Sequence, residues 1–164
     1  MRVAMFSIAC LFGASAHAQF DAEISALSRV ESSGGMNTRH PMMKTGMHAG
    51  TAAGGFWGVM PLTAKDVIAS NQAEFRQYIG YAFMTNSDLT EALNRDRAFD
   101  RKIALFMWAK LRQSMSKEQA ACAWFRGPYS RACQDPYALA SDPYVAKFGR
   151  YLEEVTTLEY AAHK

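Results

Sequence analysis

Beyond its first residues the chain has no long uninterrupted apolar run, so no later segment offers a membrane-spanning helix. It also has little net charge. The 18 Lys and Arg residues against 15 Asp and Glu leave a formal charge of +3, too small and too dispersed to argue for nucleic acid. No Pro/Ser-rich linker divides the sequence and no internal repeat recurs in it, while 49% of its residues are hydrophobic. This composition fits one globular domain. Strand signals are sparse, which predicts an all-α fold with at most a small irregular or hairpin region between Gly34 and Gly55. Cysteine is scarce as well, with three in the whole chain.

The one apolar run, Val3 to Ala14, follows Arg2 and ends near the small-x-small sequence Ala16-His17-Ala18. That is the pattern of a cleaved secretory leader, placing residues 1–18 outside the mature domain and starting that domain at Gln19. The run is too short for a comfortable membrane span. Ser7-Ile8-Ala9-Cys10 lacks the leucine expected three residues before a lipidated cysteine and lies inside the run, which argues against a lipid anchor. The expectation is an exported protein, periplasmic or secreted, with no stable membrane anchor and acting as a monomer. Removing the leader leaves Cys122 and Cys133. An even pair in an oxidising compartment favours a disulfide over a metal site or catalytic thiol, with a chain-entropy benefit of about 3 kcal/mol for so short a loop. The bridge would brace Trp124 and Phe125.

Helical patterns fill the remainder. Thr63-Ala64-Lys65-Asp66 and Ser116-Lys117-Glu118-Gln119 read as capping boxes or close variants. Ile103, Phe106, Met107 and Leu111 form an apolar stripe. Asp142-Pro143 combines an N-cap with proline at the first helical position. Tyr144, Phe148, Tyr151, Leu152, Val155 and Leu158 then mark one continuous face.

Glu31 ends an amphipathic segment in which Ile24, Leu27 and Val30 recur at helical spacing, directly before Ser32-Ser33-Gly34-Gly35. A carboxyl in a last helical turn faces the negative end of the macrodipole and lies beside buried surface. Both disfavour its charged form, and its pKa should rise. A carboxylic acid that keeps its proton near neutral pH is what glycosidic cleavage requires of its general acid. Farther on lies Ala53-Gly54-Gly55-Phe56-Trp57-Gly58-Val59-Met60-Pro61-Leu62-Thr63-Ala64, where Gly54, Gly55 and Gly58 let the main chain approach a ligand closely. Phe56 and Trp57 can face sugar rings or pack in the core.

In order, these two motifs resemble those of the lysozyme-like lytic transglycosylases, the soluble lytic transglycosylase and goose-type lysozyme superfamily. There a catalytic glutamate in an Ile-Glu-Ser-type helix end precedes Gly-Ala-x-Gly-Leu-Met-Gln-Leu-Met-Pro-x-Thr. Ala123-Trp124-Phe125-Arg126-Gly127-Pro128 is similar to the family's Ala-Tyr-Asn-Ala-Gly-Pro, and Arg150-Tyr151-Leu152 is loosely similar to its closing Arg-x-Tyr-Val helix. The resemblance spans nearly all of the mature chain. It implies a lysozyme-like domain that cleaves the β-1,4 bond between MurNAc and GlcNAc in peptidoglycan strands, an anionic polymer suited to a weakly basic protein. Glu31 would be the general acid and base, and Gly55, Phe56, Trp57, Gly58, Met60, Trp124, Phe125 and Tyr151 would line the substrate groove. No cofactor and no metal are required.

The chain departs from the family at Gly58, which takes the place of its glutamine, and at Trp124 and Phe125, which replace tyrosine and asparagine. Lost polar groups should alter sugar discrimination more than acid chemistry. Arg126 stands in place of alanine and reads as a solvated helix-end residue. The longer interval before Gly55 carries Met36, His40, Met42, Met43, Met47 and His48. Thioethers with imidazoles suit Cu(I), but their spacing closes no ligand set, and a lid over the glycan groove is the preferred reading. Of possible second carboxylates, Asp66 completes a capping box, Asp88 starts a helix and Asp100 lies on a charged flank. None has a motif behind it. That favours transglycosylation, with 1,6-anhydro-MurNAc ends, over a hydrolytic muramidase acting on modified glycan. An inactive peptidoglycan-binding module of an envelope machine is the remaining alternative.

Overall fold

The computed structural model describes residues 20–45 and 48–162; the expected leader at 1–18 and Met47 lie outside them. The fold is all-α. Helix α1 (Asp21–Ser32) begins with two acids, Asp21 and Glu23, in its first turn and buries Ile24, Ala26 and Leu27. It stops where Ser33 adopts φ 55° and the glycines Gly34 and Gly35 continue at positive φ. The described residues of the segment before the next helix form no regular strand. It is pinned instead by isolated antiparallel bridges, Met42 with Ala52 and Gly54 with Val59, which is the small hairpin region expected there.

Helix α2 (Pro61–Ser70) starts at Met60, with proline at its first position and no side-chain cap. The capping box expected at Thr63 is therefore absent. Proline presets the helical φ two residues earlier, so Thr63 already lies inside the first turn. A 3-10 helix (Arg76–Phe83) leads to α3 (Asn86–Arg95), where the Thr85 hydroxyl accepts from the Asp88 amide at 3.1 Å and donates to its carboxylate at 2.7 Å.

Helix α4 (Arg97–Arg112) runs through the core and buries Phe99, Ile103, Leu105 and Trp108, with Phe106, Met107 and Leu111 packed on the same cluster. Helix α5 (Lys117–Arg126) opens on the expected capping box, Ser116 and Gln119 each satisfying the other's backbone. A 3-10 turn (Arg131–Cys133) and the short α6 (Pro136–Ala140) follow. Cys122 and Cys133 are buried and meet at disulfide distance, with Cα atoms 5.4 Å apart, tying α5 to that turn.

The last helix, α7 (Pro143–Ala162), is capped by Asp142, whose carboxylate accepts from the Tyr144 amide at 2.8 Å and the Val145 amide at 3.3 Å. Its stripe packs as expected through Phe148 and Val155, whereas Leu158 is exposed. α7 lies mainly against α1, so the two ends of the domain close on each other. Trp108 joins them to the core: its Nε1 donates to Glu23 Oε2 at 2.6 Å and its ring meets Trp124 and Phe148.

Candidate active site

Glu31 sits in the last turn of α1, half-buried, where α1, the Gly54–Val59 turn and the start of α7 converge. The Tyr144 hydroxyl donates a short hydrogen bond to Glu31 Oε1. On the other oxygen, a side-chain carbon at Gly58 would stand 2.7 Å from Glu31 Oε2 and 3.2 Å from His40 Cε1. The carboxyl and the imidazole thus occupy the space that a side chain at position 58 would need. Burial raises the Glu31 pKa above the usual carboxylate range, against the opposing effects of the Tyr144 hydrogen bond and of positive charge on Lys147 and, when its ring carries a second proton, on His40. Because Oε1 accepts the phenol proton, Oε2 is the oxygen left to carry an acid proton. Burial and the neighbouring carboxylate push the Tyr144 phenol well up, so it remains a donor.

The turn that brings Gly58 to Glu31 is built on glycine. Gly54 and Val59 exchange two backbone hydrogen bonds of 2.9 Å, and Gly55 and Gly58 take φ of 77° and 63°, the left-handed region that side chains resist. From below, Asn94 Oδ1 accepts from the Gly55 amide at 2.7 Å and Asp100 Oδ2 accepts from the Phe56 amide at 2.6 Å. A Cβ on Gly55 would overlap the Asp100 carboxylate. Asp100 is thus not on a charged flank but 0% exposed inside the core. The flanking arginines turn outward while the carboxyl turns in to meet the turn's amides. Burial drives its pKa up to about 7, the Phe56 and Trp57 amides oppose the rise, Asp96 adds to it, and Oδ1 has no hydrogen-bond partner.

The residues singled out from the sequence separate into groups. Glu31 and Gly58 come together, and Phe125 joins them indirectly: 59% exposed, its ring stacks on Tyr144 at 4.7 Å and 10°. Trp57 is a core residue, 3% exposed, whose Nε1 donates to the Ile24 carbonyl at 2.8 Å. Trp124 is half-buried and donates to the Trp57 carbonyl at 3.1 Å. Phe56 fills the space left by the missing side chain of Gly35, with the Arg97 guanidinium 4.7 Å over its ring. Met60 precedes α2, and Gly55 is engaged with Asn94 and Asp100. Tyr151 stands about two turns along α7 from Tyr144, lining a cavity with Arg29, Met36 and Val155.

Two residues at the site had no assigned role in the sequence. Tyr144 was one of six residues on an apolar stripe, and only the angle at which α7 meets α1 selects it. His40 belonged to the Met/His-rich interval, whose methionines Met36, Met42 and Met43 are instead exposed. Its Nε2 lies 3.0 Å from the Gly55 carbonyl oxygen, which brings the ring to the turn. Arg126 ends α5 and is exposed, as expected of a helix-end arginine, and its guanidinium also pairs with the buried Asp142 carboxylate at 2.7 Å. Compared with known proteins, the chain matches no family model, no curated protein and no solved structure.

Proposed function

We propose that this protein is a peptidoglycan lytic transglycosylase that cleaves the β-1,4 bond between MurNAc and GlcNAc with Glu31 as its general acid. The observation that carries the reading is the Glu31 carboxyl itself, lifted in pKa by burial, fixed at Oε1 by Tyr144, and facing a glycine of the turn at Oε2. A carboxyl so placed can hold a proton and deliver it to a leaving oxygen. The three ordered sequence motifs supply the substrate class. Phe125, exposed beside Tyr144, offers a flat apolar face of the kind that sugar rings stack on.

Transglycosylation is favoured over hydrolysis because the groups acting on Glu31 are Tyr144, His40 and Lys147, none of them a carboxylate. Asp66 is exposed on α2, Asp88 is engaged with the cap of α3, and Asp100 is committed to the turn's amides. A retaining or inverting hydrolase would call on a second carboxylate near the acid. A lytic transglycosylase needs only the sugar's own 6-hydroxyl as nucleophile, giving a 1,6-anhydro end. Action on wall glycan fits an exported protein, which the leader pattern at 1–18 suggests.

Digestion of purified sacculi followed by mass spectrometry tests the reading. Anhydromuropeptides are expected from the wild type and none from Glu31→Gln, whose amide keeps the shape but has no proton to give. Wild-type release by Glu31→Gln would remove Glu31 as the acid. Hydrated reducing ends would point to the muramidase alternative, and retention on sacculi without any release would point to a binding module.

A further inference from the structure

We propose that His40 is a second catalytic group, which takes the proton from the hydroxyl that attacks the sugar's anomeric carbon. This rests on the glycan-cleaving reading of Glu31, and it departs from the family resemblance, which would give both proton transfers to the one glutamate. The first support is the way the ring is held. Nε2 lies 3.0 Å from the Gly55 carbonyl oxygen. A carbonyl only accepts, so Nε2 carries the hydrogen and Nδ1 of the neutral ring keeps its lone pair. The backbone thereby fixes the tautomer that can act as a base.

The second support is convergence. Glu31 Oε2 and His40 Cε1 both approach the same point over Gly58, at 2.7 and 3.2 Å, although they arrive from α1 and from the loop that follows it. His40 is only partly buried, which leaves a path for a hydroxyl on a bound sugar or a water. The other polar side chains at Glu31 are poorly suited to the task. Tyr144 holds its proton and is bound to Oε1, and Lys147 Nζ donates to the Val30 carbonyl at 3.2 Å.

In the proposed step Glu31 Oε2–H gives its proton to the glycosidic oxygen as the C1–O bond breaks, and the leaving sugar departs as an alcohol with the bonding electrons. The attacking oxygen forms the new bond to C1 and its proton passes to His40 Nδ1. The imidazolium then returns a proton through solvent to the Glu31 carboxylate, which restores both groups. The attacking hydroxyl is the 6-hydroxyl or water, and the chemistry at His40 is the same for either. An anhydro or a hydrated product end tells them apart.

The test compares wild type, Glu31→Gln, His40→Gln and His40→Ala on solubilised glycan strands, with thermal unfolding measured for each. In His40→Gln the amide can still donate to the Gly55 carbonyl but cannot act as a base. Its kcat should fall about 10²-fold with KM unchanged. Added imidazole should restore part of the rate to His40→Ala and none to Glu31→Gln. A His40→Gln enzyme at the wild-type rate, or a folded His40→Ala enzyme that imidazole does not help, overturns the proposal while leaving Glu31 as the acid. A wild-type protein that cleaves no glycan removes the reading of Glu31, and this proposal falls with it.

Discussion

The environment of Glu31 is a balance in which burial outweighs three opposing neighbours, and each neighbour can be removed singly. Tyr144→Phe deletes the phenol that favours the ionised carboxyl but keeps a ring to stack on Phe125, so the Glu31 pKa should rise further. Activity that depends on a protonated acid is lost as pH rises through that pKa. The alkaline limb of the pH–rate profile should therefore move to higher pH in Tyr144→Phe, and movement to lower pH would mean that the phenol does not act on the acid. Gly58 behaves differently from a lost polar handle. A side chain there meets Glu31 Oε2 and must also adopt φ 63°, so Gly58→Gln would disturb the acid before it could alter sugar preference. Gly58→Ala isolates the effect. It should cost about 1–2 kcal/mol in denaturant unfolding for the left-handed backbone, together with most of the activity. Wild-type stability and rate in that variant would show that the turn can back away from Glu31.

Among the elements, those whose ends are written locally were legible. The Ser116–Gln119 box opens α5 and Asp142-Pro143 opens α7 because a cap and its partners lie within a few residues of each other. Thr63 misled because proline two positions earlier starts the helix first. Asp100 misled more deeply. Arg97, Arg101 and Lys102 surround it in sequence, and its burial comes from a turn about forty residues earlier that packs on α4 and has no side chain at Gly55. Nothing within α4 announces that turn. The site shows the same division: Glu31 is marked by its own segment, whereas Tyr144 and Tyr151 share one helical stripe. Which of the two reaches the carboxyl depends on how α7 crosses α1.

At the scale of the whole molecule, the buried carboxyl on α4 couples stability to pH. Asp100 has a folded-state pKa of about 7 against an ordinary 3.8, so the folded chain binds a proton that the unfolded chain releases. The stabilisation is complete below about pH 4 and is lost as pH rises toward 7, by at most about 4 kcal/mol. Asp100→Asn does not titrate, and its unfolding free energy should decline less than wild type over that range. Equal slopes would show that Asp100 is ionised throughout. The second global constraint is Cys122 with Cys133. Non-reducing peptide mapping of natively produced protein, with thiols blocked at lysis, should find them joined, and two free thiols would remove the brace between α5 and the following 3-10 turn.

The hydrogen bond between Tyr144 and Glu31 joins residues 113 positions apart, nearly the span of the domain. Contacts of such long range form only after the intervening chain has been brought to order. Until the C-terminal helix docks, residue 31 is an ordinary hydrated glutamate at the end of a lone helix, without its phenol and without most of its cover. Any chemistry assigned to that carboxyl is therefore tied to completion of synthesis and folding: a nascent or prematurely ended chain carries the glutamate but not the acid.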